Sequence, residues 1–346
     1  MRLAINHVTR YKYSQPVAHG WQRLRLRPKT THGQEILDWD MNIEGATTQV
    51  EYDDQHNNAT ALVALIPGTQ EIAISCQGMI DTSDQAGVIG RHTGHMPLWC
   101  FLRATPLTRA GLKVRALVSN VDHDKEDRLG FLHALSEAIR NEVEYTIGVT
   151  DIDTTAEQAL TLGKGVCQDH AHVFLSAGRL LDIPMRYVGG YLMMNDRVEQ
   201  DAGHGWAEAY IDGLGWVGFD ISNGISPDER YVRVATGCDY SEAAPVTGIA
   251  AQAGDVELEV KVAVAQGSNI QSQSQSSGGQ SQSQSQGQAS EGDPEDGLRS
   301  GGSGPPVQLT GGMEPPETAE AKAKGGKSKK SGKDRRSADQ DQQQQQ

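Results

Sequence analysis

The chain has 346 residues and a formal net charge of −14, and from Gln266 onward ten acids face nine bases, so nearly all the excess negative charge belongs to residues 1–265. That balance argues against nucleic acid as a partner of that part, since phosphate binding draws on clustered Lys and Arg. Cys76, Cys100, Cys167 and Cys238 form no C-x-x-C pair, the first residues lack a continuous apolar leader, and no stretch approaches the roughly 18 apolar residues of a membrane span, so a cytoplasmic protein with reduced thiols and no membrane attachment is expected.

Residues 1–110 read as a β-rich domain. Leu37, Trp39, Met41 and Ile43 alternate with polar neighbours, as do Leu24 and Leu26 with Arg23, Arg25 and Arg27, and so do the runs Ala61-Val63-Leu65 and Ile72-Ile74-Cys76. Turn residues separate them: Asp53 to Asn58, Pro67-Gly68 and Gly87 to Gly90. Residues 111–265 read as the domain that carries the chemistry. Leu132, Leu135, Ile139 and Val143 mark a helix face, and a second helix starts near Thr154-Thr155 with capping-box spacing and stops at Gly163. A third helix begins at or near Cys167, with Ala171, Phe174, Leu175, Gly178 and Leu181 inward, and Pro184 prevents it from running on.

Strand patterns then follow at 186–193, 204–211 and 215–220, the last two joined across Asp212-Gly213-Leu214. A three-residue loop puts Ile211 opposite Gly215 and Asp220 opposite Trp206, one diagonal step from His204 on the same face. A two-residue loop would turn Asp220 to the wrong face. Residues 256–264 alternate cleanly and are expected to close the second domain, as an added edge or by returning to the first. Residues 266–346 hold Gln-Ser repeats, a Lys/Arg cluster and no aromatic residue, so a disordered low-complexity tail with an unidentified partner is expected.

A cysteine at a helix start sits where the helix dipole favours a thiolate. With a histidine in reach, a third group to orient it and donors for the oxyanion, it becomes a nucleophile. Cys167, His204 and Asp220 supply these three parts, with the Cys167 N–H as one oxyanion donor. Trp206 shares the parity of His204 and is expected to shield the pair from water. The competing reading of each is ordinary: a small core thiol and a core tryptophan. Cys76, Cys100 and Cys238 are read as structural, Tyr210 and Trp216 as packing, and Asp169 and His170 as caps or exposed groups. No cofactor is expected. Cys167, His170 and His172 cluster, but 172 points away from the face shared by 167 and 170, and no second pair stands at zinc-ligand spacing. Asp151-Ile-Asp153 and Asp122-His-Asp124 lack the glycine and terminal glutamate of a calcium loop.

The sequence resembles the bacterial transglutaminase-like proteins of the papain-like cysteine enzyme superfamily. The likeness rests on Tyr145, Thr154-Thr155-Ala156, Gly165-Val166-Cys167-Gln168-Asp169 with Ala171, Ile183-Pro184, Arg186-Tyr187-Val188 and Gly190-Tyr191. It continues through His204-Gly205-Trp206-Ala207-Glu208-Ala209-Tyr210, Gly215-Trp216 and Asp220 with Asn223-Gly224. Tyr11, Tyr13, Pro16 and the run 24–28 are similar to the β-rich region that often precedes this core. The resemblance implies an α+β fold in which a Cys-bearing helix packs on an antiparallel sheet, with Cys167 as nucleophile, His204 as base and Asp220 as orienter. It also places Trp206, Gln168 and Tyr145 near the substrate or the oxyanion. Three positions depart from the usual pattern: Gly205 for alanine, Asp182 for glycine, and Ile221-Ser222 for proline-threonine.

The expected function is acyl transfer through a thioester on a peptide, isopeptide or glutamine amide of a protein or peptide substrate, with a protease or amidase favoured. A crosslinking transglutaminase is the alternative, and a non-enzymatic scaffold with a tail-bound partner is the second.

Overall fold

Period-2 alternation makes six long strands of the first eighty residues: β1 (Arg2–Tyr13), β2 (His19–Arg27), β3 (Gln34–Glu44), β4 (Ala46–Asp53), β5 (Ala59–Leu65) and β6 (Glu71–Thr82). The computed structural model describes residues 1–122 and 127–267, so the tail from 268 onward, where disorder is expected from composition, lies outside the described residues. After β6 come β7 (Val88–Gly90), a short 3-10 turn at Leu98–Leu102, α1 (Leu112–Asn120), α2 (Arg128–Glu142), β8 (Glu144–Tyr145), α3 (Ala156–Leu162), β9 (Lys164–Gly165) and α4 (Cys167–Arg179). The remainder is β10 (Met185–Leu192), β11 (Glu199–Gln200), β12 (His204–Ile211), β13 (Gly215–Phe219), β14 (Tyr231–Gly237), α5 (Tyr240–Ala243), β15 (Val246–Ala251) and β16 (Val256–Gln266).

Two sheets, ordered β11-β16-β1-β6-β3 and β15-β2-β5-β4, face each other. Tyr11, Leu24, Leu26, Val63, Ile72, Ile74 and Cys76 fill the space between them. The alternation predicted for Leu37 to Ile43 breaks at one point: a bulge between Ile36 and Asp38 turns Leu37 out to solvent. A second bulge lies between Leu24 and Arg27. There Arg25 is buried beside Leu24 and Leu26, and its charge is met by Asp54 at 2.9 Å.

The third sheet, β14-β10-β12-β13-β7, carries the helices. Phe174 and Leu175 of α4 join Ala207, Ala209, Val217 and Phe219 in one core, so the Cys-bearing helix rests on the antiparallel sheet. α3 has a complete capping box between Thr155 and Gln158 and ends at Gly163.

Of the two placings expected for residues 256–264, the strand pairing shows the return to the N-terminal region. β16 pairs with β1 along its length, Leu3 opposite Gln266 to Tyr13 opposite Val256, so it belongs to the first sheet. β15, in a stretch without clear periodicity, pairs with β2, while β7, read as a turn, crosses to edge β13. The first sheet has a face that one contiguous segment cannot cover. Leu3, Ile5, Val262 and Val264 on it bury Tyr191 and Val232 of the third sheet.

Candidate active site

The hairpin between β12 and β13 has the three-residue loop, with Ile211 opposite Gly215 and Ala207 opposite Phe219. One step further along, Asp220 comes level with Trp206. His204 Nε2 meets Asp220 Oδ2 at 2.6 Å. Cys167, the first residue of α4, lies close enough to His204 to act on the charge of its ring. With Nε2 engaged by Asp220, Nδ1 is the ring nitrogen left for another partner. The three predicted residues are therefore brought together, with Asp220 buried and Cys167 half-buried at the surface of the site.

Burial alone would lower the His204 pKa, but the neighbouring Cys167 and the Asp220 carboxylate outweigh it and hold the group up at about 10. Asp220 is opposed by burial too, yet its bonds to His204, Tyr231 and Asn223 keep it below the usual carboxylate range. Tyr231 Oη donates to Asp220 Oδ2 at 2.6 Å, and so does Asn223 Nδ2 at 2.6 Å, while the Asn223 N–H reaches Oδ1 at 3.2 Å. These two residues were not singled out in the sequence as site residues. Asn223 had a signal in the Asn-Gly pair, because a turn over 220–225 with Gly224 at φ +66° wraps the chain back onto the carboxylate. Tyr231, eleven residues on and on another strand, had none.

Trp206 stacks on His204, ring centroids 6.1 Å apart at 25°, and Tyr231 packs against both rings, edge-on to Trp206 at 5.5 Å and 6.0 Å from His204. The imidazole is thus held in a dry aromatic setting. Tyr145 is about half exposed, its ring lies 6.1 Å from that of His170, and burial with the charges of Cys167 and Asp220 pushes its hydroxyl up to about 12. Gln168 turns away: its Nε2 donates to the Ile152 carbonyl at 3.3 Å and so ties the 150–153 loop to α4. Beside it Asp169, expected as a cap or exposed, is a buried cap that accepts from the Val166 N–H at 2.8 Å and from Thr150 Oγ1 at 2.7 Å.

His170 is buried as well, with Nδ1 against Ser222 Oγ at 2.8 Å and Nε2 against the Val143 carbonyl at 2.9 Å. That pairing gives Ser222, a departure from the family pattern, a structural partner. His172 lies elsewhere, accepting from the Tyr240 N–H at 3.2 Å, so Cys167, His170 and His172 do not form a metal site. Among the described residues His56, Cys238 and Glu242 bring ligand atoms within 4.8 Å of one another. There His56 Nε2 is already bonded to Glu242 Oε2 at 2.7 Å.

The other two departures also have local causes. Asp182 adopts a left-handed conformation, φ +55°, where glycine would be relaxed. A Cβ at 205 would collide with the Tyr187 hydroxyl, which sits against the glycine beside His204. Gly205→Ala is therefore expected to cost about 1–3 kcal/mol in urea unfolding, with Tyr187→Phe in the same chain recovering most of it. Equal stability of the single variant and the wild type would rule out the contact.

Two pH limbs follow from the histidines. The folded His204 pKa, about 10, lies above its ordinary 6.5, so the folded state binds the extra proton. Its stabilisation is complete below about 6.5 and is lost as pH rises through about 10. His7 and His172, lowered to about 4 by burial, behave oppositely: their contribution is present above 6.5 and lost as pH falls towards 4. Melting temperature should thus fall on both sides, and Cys167→Ala should flatten only the alkaline limb. An unchanged alkaline limb in that variant would contradict the thiolate–imidazolium pair.

Residues 115–221 match the family model of the transglutaminase-like superfamily, and residues 3–81 match that of the bacterial transglutaminase-like N-terminal region. The chain belongs to this family, with a transglutaminase-like core behind the bacterial N-terminal region. It is similar to an uncharacterised protein of Mycobacterium leprae, 26% identical over 275 residues that cover 74% of this chain and 96% of the relative. An uncharacterised protein of Mycobacterium tuberculosis is 25% identical over 275 residues, 72% of this chain and 87% of its own length. A solved structure of a proposed cysteine protease from Cytophaga hutchinsonii shares the fold, with a TM-score of 0.62, 23% identity, and coverage of 77% of this chain and 90% of that one.

Proposed function

We propose that the protein is a cysteine-dependent acyl-transfer enzyme acting on amide bonds of proteins or peptides, with water as the usual acceptor. The observation that carries this reading is the His204 imidazole spanning Cys167 on one side and Asp220 on the other. The Cys167 thiolate attacks the carbonyl carbon of the amide, forming the C–S bond and placing negative charge on oxygen. The Cys167 N–H at the start of α4 lies where it can donate to that oxygen. As the C–N bond breaks, the His204 imidazolium gives its proton to the departing amine. Water then attacks the thioester while neutral His204 takes its proton; the acid leaves and the thiolate–imidazolium pair is restored. Asp220 fixes the ring through Nε2 and carries no proton itself.

Water is favoured over a lysine amine by the likeness to bacterial members and by the Cytophaga structure of the same fold, described as a proposed cysteine protease. The test supplies casein and a labelled primary amine together. Peptide release exceeding amine incorporation supports the hydrolase; incorporation exceeding release makes the protein a transglutaminase. Neither product, from folded protein with an alkylatable Cys167, would overturn enzymatic action on such substrates and favour the scaffold.

A further inference from the structure

Six segments far apart in sequence enclose a cavity of about 400 Å³ between the N-terminal sheets and the third sheet. Lys29, Arg91, Arg186 and Arg233 line it, together with His32 and His56, and no acidic side chain does. This is unexpected in a chain whose net charge is −14. Arg186 is the most deeply placed, with its side chain only 11% exposed. Its Nε donates to Glu208 Oε2 at 2.5 Å and its guanidinium lies 4.0 Å over the Trp216 ring, while its two terminal nitrogens have no acceptor among the described residues. Arg233 meets the same Glu208 through Nε at 2.8 Å, so one fully buried carboxylate serves two guanidiniums.

Lys29 is met by Asp53, and Arg91 has no ion-pair partner among the described residues. Two positive charges are therefore left without a counter-charge at this cavity. A buried guanidinium with N–H groups left over costs solvation that an oxyanion would return through charge-assisted, forked hydrogen bonds. We propose that this cavity binds a small doubly charged oxyanion of the phosphate or pyrophosphate type.

The site is separate from the triad. Glu208 is four residues along β12 from His204, about 13 Å at the rise of a strand. The occupant would join the connections at Lys29 and His56 to β10 and β14, and so bind the N-terminal sheets to the catalytic sheet.

The test is calorimetric titration of the full chain with inorganic pyrophosphate and with phosphate at constant ionic strength, paired with melting curves. One pyrophosphate or phosphate per chain and a rise in melting temperature beyond that given by chloride are expected. Arg91→Gln, at an exposed position with no ion-pair partner among the described residues, should weaken binding about tenfold, as one lost charge-assisted contact implies. Arg186→Lys keeps the charge facing Glu208 but loses the fork, and should weaken it further. Absence of binding, or equal binding by wild type and both folded variants, would overturn the proposal.

Discussion

Cys167→Ala is expected to lower amide turnover by about 10⁴-fold or more, the scale on which loss of a triad nucleophile acts. Little else should change. The residue is half-buried at the first position of α4, with its helix capped independently by Asp169 on the Val166 N–H, so only the thiol is lost. At neutral pH urea unfolding should fall only by what the Cys167–His204 pair contributes, the same stabilisation whose loss flattens the alkaline limb. Turnover retained within tenfold of wild type would mean that the nucleophile lies elsewhere.

Asp220→Ala is the substitution with the largest expected effect on stability. The carboxylate is fully buried and takes bonds from His204, Tyr231, and both the side chain and backbone of Asn223. Its removal leaves buried donors and a protonated imidazole without an acceptor, at a cost of about 3–5 kcal/mol. Asp220→Asn retains shape and a carbonyl acceptor. It should unfold much closer to wild type while losing about 10²–10⁴ in kcat/KM, because the imidazole is no longer held in the right protonation state. If Asp220→Ala and wild type unfold at the same urea concentration, the carboxylate is not the hub of the site. If Asp220→Asn turns over as wild type does, orientation of His204 does not depend on the charge.

What could be read from the sequence was local. The α3 capping box, the start of α4 at Cys167 and the three-residue hairpin loop depend on neighbours in the chain, and the loop fixes which face Asp220 takes. The triad followed because its histidine and aspartate lie on two strands joined by that single loop. For contacts that close over longer distances, the sequence did not show the partner. Tyr231 reaches Asp220 from β14, which is not hydrogen-bonded to β12 or β13. β16 pairs with the first strand of the chain across more than 240 residues. Arg25 looked like the polar side of an alternating strand, and only the bulge and Asp54 explain its burial. The family departures at Gly205 and Ser222 were visible as substitutions, but their reasons, the Tyr187 hydroxyl and the His170 ring, are tertiary. The cationic cavity combines short polar loops with strand residues, each unremarkable alone.

The most direct measurement of the Cys167–His204 pair is brief alkylation of the native protein with a small chloroacetamide near pH 7, followed by peptide mapping. Cys76 and Cys238 are buried, and burial pushes both thiols up to about 12, so neither should compete. Cys167 should be modified first and almost alone, and His204→Ala should slow that modification. Labelling of Cys76 or Cys100 ahead of Cys167 would contradict the assignment of the nucleophile.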